Sequence, residues 1–305
     1  MADRPVPAAA TRASPRDPTD SGGAGPLVIV KLGGSIITRK REVERIRPKV
    51  LQRLAGEAAV RTSQRVILLH GAGSFGHAGA HRWGLASPPA AGSSSRDRVR
   101  GAAIVQAEVR RLHGKVLSAL LEAHANPLSI PAALVAQNRS GALERFDAGP
   151  FARALEAGAL PVSFGDVVPD SDWGFSILSA DGIAVALARA LRPARVVFVS
   201  DVPGILRGGR GGREIFPHLD RHIVEGIPVP SGSVDVTGGI VGKAKAMLEL
   251  AEIGVDAGLI SGLSDGALSR AIRGEAVYGS WAKAAHRPAS DGASVPDERP
   301  RSVPS

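Results

Sequence analysis

The chain has no cysteine in its 305 residues, and that lack excludes several chemistries at once. No disulfide, thiolate metal site or cysteine nucleophile can be built from it, which fits a reducing cytoplasm. Aromatic residues make up only 4%, with a single tyrosine, so a chain that is 44% hydrophobic must build its core chiefly from Ala, Val, Leu and Ile. No apolar run approaches the ~20 residues needed to cross a bilayer. The N-terminal residues, broken by Pro, Asp and Arg, form no signal-like segment. The expectation is a cytoplasmic protein with no membrane partner. The eight histidines fall into no metal-ligand cluster.

Positive charge is in excess, with a formal net charge of +9. Such a balance can serve nucleic acid, but here the basic residues are mostly scattered arginines without interleaved stacking aromatics. A small phosphorylated substrate is the preferred partner, and no nucleic acid is expected.

Residues 1–25 and 284–305 are rich in Pro, Ala, Ser and Gly, mix charges without periodicity, and read as disordered extensions. Between them, residues 26–283 alternate apolar runs with helical patterns, as parallel βαβ units do. Strands are expected over 27–32, 66–70, 160–164, 195–200 and 257–260. Helices are expected over 48–61, 98–123, 151–157, 181–191 and 239–253. A further apolar run covers 128–135, a turn-rich hairpin 167–178, and a Gly/Arg-rich surface loop 208–212. No internal repeat is present. The fold class is α/β, one domain forming an open αβα sandwich with a mainly parallel central sheet.

Five constellations at strand-to-helix turns carry the chemistry. His70-Gly71-Ala72-Gly73-Ser74-Phe75-Gly76-His77 follows a strand, so its glycines let backbone N–H groups approach an anion, with the His77 imidazole close by. Lys31-Leu32-Gly33-Gly34-Ser35 ends the first strand with a cation and backbone donors. Because its lysine precedes the glycines, it is no Walker A loop. Lys40 lies just beyond, either folded over the same site or a solvated loop charge. Asp181, in Ser179-Ala180-Asp181-Gly182, is either a charge on a helix dipole or a buried carboxylate orienting lysines. Asp201, in Ser200-Asp201-Val202-Pro203-Gly204, sits at a strand's carboxyl end, where α/β sheets bind ligands. Asp235-Val236-Thr237-Gly238-Gly239 opens a helix that carries Lys243. Together these suit phosphoryl transfer, which needs donors for nucleotide phosphates and cations for developing charge. A serine-hydrolase elbow is absent, since Gly71–Gly76 lacks the Gly-x-Ser-x-Gly order.

The order of these motifs resembles the amino acid kinase superfamily and, within it, the isopentenyl phosphate kinases, over residues 27–274. That resemblance implies ATP as phosphoryl donor, with Mg2+ carried by the nucleotide, isopentenyl phosphate as acceptor, and a homodimer. It implies that Lys31, Gly33, Gly34 and Ser35 hold ATP phosphates, with backbone contacts from Gly73 and Gly239 and with Asp201 in the nucleotide site. Lys243 would neutralise the transferred phosphoryl group, Lys40 the transition state, and Asp181 would organise the lysines. Ala72, His77 and Gly165 would contact the acceptor's phosphate. Ala72 stands where the wider superfamily often has glycine, which matters little if only its N–H is used. The acceptor's tail would lie against helix 98–123, where Ala102 and Ala103 leave room. Two alternatives remain open: a related kinase of a phosphonate such as fosfomycin, and an inactive nucleotide-binding regulator. An RNA-binding protein is the outside option.

Overall fold

Alternation along the first strand sets the architecture. In β1 (Leu27–Leu32), Val28, Val30 and Leu32 pack on one side of the sheet and Leu27 and Ile29 on the other, as the two-residue period of a strand requires. Lys31 has the parity of Ile29. The computed structural model describes residues 25–39, 42–59, 64–90, 94–208, 212, 214–227 and 239–284.

After β1 come α1 (Gly34–Ile37), α2 (Pro48–Ala58), β2 (Arg65–His70), a 3-10 turn at Gly73–Phe75, α3 (His77–Arg82) and the long α4 (Ser95–Glu122). Then follow β3 (Pro127–Ser129), α5 (Ala132–Val135), β4 (Ala136–Arg139), β5 (Ala142–Phe146), α6 (Gly149–Glu156) and β6 (Leu160–Phe164). The hairpin β7 (Asp166–Asp170) and β8 (Gly174–Leu178) leads to α7 (Ala180–Leu191) and β9 (Arg195–Ser200). The chain closes with α8 (Arg221–Glu225), α9 (Gly239–Glu252), β10 (Asp256–Ser261), α10 (Ala267–Arg273) and β11 (Gly279–Ala282).

The large sheet has the order β11-β10-β9-β1-β2-β6-β3, parallel throughout except for β11 at one edge. Leu51 and Leu54 of α2, Leu112 and Val116 of α4 and Leu268 of α10 cover one face. Phe151 of α6, Ile183 of α7 and Met247 of α9 cover the other. These are the three layers expected. A smaller sheet, β5-β4-β7-β8, stands beside them. Its turns are tied by Asp170, whose carboxylate accepts the N–H groups of Trp173, Asp172, Ser140 and Gly141.

Several elements depart from the expected map. The 128–135 run divides at Pro131, giving β3 and the single turn α5, because proline fixes its own φ and supplies no N–H. β4 and β5 read AQNR and ALERF, mostly polar and largely exposed on β5, so apolar periodicity could not reveal them. α3, α10 and β11 are additional. An antiparallel bridge between Leu206 and Ile215 closes the base of the expected Gly/Arg-rich loop, whose residues 209–211 lie outside the described set, as do 1–24 and 285–305.

Candidate active site

β1 lies between β2 and β9; α2, which follows β1, packs on one face of the sheet, and α9, which follows β9, packs on the other. A crevice opens at such a switch point. Gly33 follows β1, Gly71 follows β2, Gly165 follows β6 and Asp201 follows β9, which brings three of the constellations and Gly165 to one edge.

Strand parity sends Lys31 toward the face covered by α7 and α9, and there it meets Asp181 in the first turn of α7. Lys31 Nζ is 2.7 Å from Asp181 Oδ1, and Lys243 Nζ, one turn into α9, is 2.9 Å from Oδ2. All three residues are buried. Ser179 caps α7 by accepting the Gly182 N–H at 3.0 Å, which fixes the turn that carries Asp181. Phe198, the β9 partner of Lys31, places its ring 5.2 Å from Lys243 Nζ, within cation–π range. For Asp181, burial alone would push the carboxyl up, but the Lys243 and Lys31 ammonium groups outweigh it and hold the pKa well below the carboxylate range. Burial pulls Lys31 down to about 8, against the attraction of Asp181 and with the repulsion of Lys243. Two ammonium groups on one carboxylate leave a surplus positive charge that an anion would neutralise.

The glycine turns touch through bare backbone. A Cβ on Gly34 would lie 2.4 Å from Gly73 N, and Gly73 itself has a φ of +52°, a conformation glycine adopts readily. Thr38 ties the two turns by accepting the Ser74 N–H at 3.0 Å and donating to Gly34 O at 2.7 Å. Gly33 N–H donates to Val199 O at 2.7 Å, and Ser35 Oγ donates to Asp201 Oδ1 at 2.6 Å. Ser35 and Asp201, 166 residues apart in sequence, are thus direct partners.

On the far side of Gly73, half-buried His77 begins α3, and Gly165 N–H donates to His70 O at 3.0 Å. Beyond them lies a third apolar cluster built from Ala80, Leu85, Ala102, Val105, Val109, Phe164 and Val167. Ala102 faces this cluster, whereas Ala103 is exposed and does not widen it. Asp166, fully desolvated at its carboxylate, is pushed up to about 6 by burial despite Arg110 at 3.3 Å. A groove of about 630 Å³ lined by Leu134, Gln137, Arg145 and Phe146 sits on the smaller sheet and contains none of these residues.

Sequence reasoning named Lys31, Gly33, Gly34, Ser35, Ala72, Gly73, His77, Gly165, Asp181, Asp201 and Lys243, and the structure gathers them along the carboxyl edge. Gly239 opens α9 with a φ of +53°. Lys40 and the 235–238 segment lie outside the described residues. Phe198 and the buried pair His70 and His113 were missed. The register that places Phe198 beside Lys31 leaves no local sequence mark, whereas His70 stands at the head of the glycine motif that ends in His77.

The profile of the Amino acid kinase family matches residues 26–260. The chain is 34% identical over 264 residues to the isopentenyl phosphate kinase of Methanothermobacter thermautotrophicus, spanning 83% of this chain and 97% of that one. It is 33% identical over 224 residues to the isopentenyl phosphate kinase of Thermoplasma acidophilum, spanning 73% and 86%. An X-ray structure of isopentenyl phosphate kinase superposes with a TM-score of 0.72 at 32% identity, over 84% of this chain and 100% of the other.

Proposed function

The chain belongs to the amino acid kinase family, and from that premise we propose that it transfers the terminal phosphoryl group of ATP to isopentenyl phosphate, giving isopentenyl diphosphate and ADP. The observation that carries this reading is the buried Lys31–Asp181–Lys243 bridge beside two glycine turns. The similar kinases named for isopentenyl phosphate supply the identity of the acceptor.

In phosphoryl transfer a protein mainly positions its reactants and stabilises charge. Lys31 and the backbone N–H groups of Gly34 and Ser35 hold the ATP phosphates, with Gly33, whose own N–H is spent on Val199 O, shaping the turn and with further backbone donors from Gly73 and Gly239. Lys243 neutralises the group in flight, Lys40 adds transition-state charge, and Asp181 fixes both buried lysines. Ala72 and His77 hold the acceptor's phosphate, and Gly165, whose N–H is spent on His70 O, lines the same site without a Cβ. The apolar cluster around Ala102, Val105 and Val109 receives its hydrocarbon tail. A phosphate monoester with a second pKa of about 6 is already an anionic nucleophile at neutral pH, so no general base is needed. Asp201, accepting from Ser35 and Ser200, offers oxygen atoms beside the first glycine turn, which suits a hard cation. Magnesium carried on the nucleotide would draw charge from its phosphates. Among the described residues no helix is long and apolar enough to cross a membrane. The same reading takes the working form to be a cytoplasmic homodimer.

Incubating the purified protein with Mg-ATP and a panel of acceptors tests the assignment. Isopentenyl phosphate, dimethylallyl phosphate, longer prenyl phosphates, fosfomycin and N-acetylglutamate would each be followed by 31P NMR. A diphosphate product from isopentenyl phosphate is expected to dominate. Preferred turnover of fosfomycin would move the assignment to a phosphonate kinase. Nucleotide binding without turnover of any acceptor would leave a regulator.

A further inference from the structure

Behind the second glycine turn runs a chain of hydrogen bonds, buried at its two histidines and reaching the surface at Ser129, that the proposed reaction does not use. His70 closes β2; its Nδ1 is 3.1 Å from the Gly71 carbonyl oxygen and its Nε2 is 3.0 Å from Nδ1 of His113 in α4. His113 Nε2 lies 2.7 Å from Oγ of Ser129, at the end of β3. Phe164 packs on both imidazoles, its ring centroid 5.4 Å from His70 and 4.3 Å from His113. A carbonyl oxygen only accepts, so its end of the chain fixes the direction of every bond. His70 carries its proton on Nδ1 and accepts at Nε2. His113 does the same, accepting at Nε2 from the Ser129 hydroxyl. Both rings are used completely in their neutral form, and burial keeps them so, pulling His70 down to about 3 and His113 to about 4.

We propose that His70, backed by His113 and Ser129, is a positioning residue that locks the Gly71–Ala72 peptide with the Ala72 N–H aimed at the acceptor's phosphate. In a trans planar peptide the carbonyl and the following N–H point in opposite directions. Holding the Gly71 carbonyl toward the interior histidine therefore turns the Ala72 N–H outward, to the crevice. Gly71 has no Cβ to restrain that peptide, and among the described residues no backbone carbonyl accepts the Ala72 N–H. A flipped peptide would present a carbonyl oxygen to the anion instead of a donor. The proposal rests on the assignment of Ala72 to the acceptor side, given above.

The test compares two substitutions at position 70, one that keeps the ring and one that keeps the donor. His70→Phe preserves stacking on Phe164 and removes both hydrogen bonds. His70→Asn sets an amide nitrogen near the place of Nδ1, restoring a donor to Gly71 O without the link to His113. His70→Phe should raise the KM for isopentenyl phosphate about tenfold or more with little change in the KM for ATP, and His70→Asn should recover most of that loss. Long-range 1H–15N spectra of the wild type should show both imidazoles protonated on Nδ1 at neutral pH. Should His70→Phe fail to fold, His113→Phe cuts the same chain one link out and must shift the acceptor KM in the same direction. Equal effects on both substrates, failure of His70→Asn to recover, or protons found on Nε2 would overturn the lock. The tautomer spectrum needs no substrate, so it stands even if the wild type ignores isopentenyl phosphate, an outcome that would sink the functional assignment instead.

Discussion

Lys31 and Lys243 share one carboxylate, so removing either lysine leaves the other paired, whereas removing Asp181 leaves two buried cations facing each other. Alanine at Lys31 or Lys243 should lower kcat by on the order of 10²–10³, the scale of one lost transition-state contact. Steady-state kinetics alongside thermal melts check this, and normal kcat in a folded variant would remove that lysine from the mechanism. The ammonium is the working form of Lys31, present below about 8 and lost above it, because burial is the largest influence on it. kcat/KM for ATP reports the free enzyme and should therefore fall as pH rises through about 8. Any activity left in Lys31→Arg should lack that limb, since a guanidinium stays charged; a wild-type profile flat well above that value would count against the assignment. On the acceptor side, His77→Ala should impair use of isopentenyl phosphate about tenfold to a hundredfold, the worth of a charge-assisted hydrogen bond. Unchanged acceptor kinetics in that variant would return His77 to a structural role. Sequence showed that Lys31 stood at a strand end; it could not show that the register would set Phe198 beside it.

At the scale of the element, α10 owes its position to a residue far away in sequence. The Glu57 carboxylate, buried at the end of α2, accepts the N–H groups of Gly266 at 3.1 Å, Leu268 at 2.9 Å and Ser269 at 3.3 Å. Arg53 holds the same carboxylate at 2.5 Å. Replacing Glu57 by Ala strands these donors and should cost about 2 kcal/mol or more, read as a lower denaturation midpoint with kcat nearly unchanged. A variant as stable as the wild type would show that water replaces the cap. This also explains what the sequence revealed and what it hid. The strands of the large sheet carry unbroken buried runs such as Val66–Leu69 and Val196–Val199, and α4 repeats Val105, Val109, Leu112, Val116 and Leu120 at helical spacing. α10 has only seven residues, and the carboxylate that caps it comes from 209 residues before Gly266. A pattern read along the chain does not contain such a bond.

For the molecule as a whole, the folded unit is anchored at both described ends. Near its start, Arg65 N–H donates to Pro26 O at 3.2 Å; near its end, Ala284 N–H and Lys283 Nζ both reach Asp256, at 3.0 and 2.7 Å. A shortened chain spanning 25–284 should match the full chain in Tm and kcat/KM, because the sequences beyond carry too few large apolar groups to offset their ordering entropy. Loss of activity in a stable shortened chain would show that a terminal segment helps build the site. The contact between Gly34 and Gly73 has a consequence at this scale. With backbone against backbone and no compliant side chain between, the two turns work like meshed gear teeth, so neither can shift without displacing the other. If one turn grips nucleotide and the other acceptor, filling either pocket stiffens its neighbour. Thermodynamic reciprocity then demands that the factor by which ATP tightens acceptor binding equals the factor by which acceptor tightens ATP.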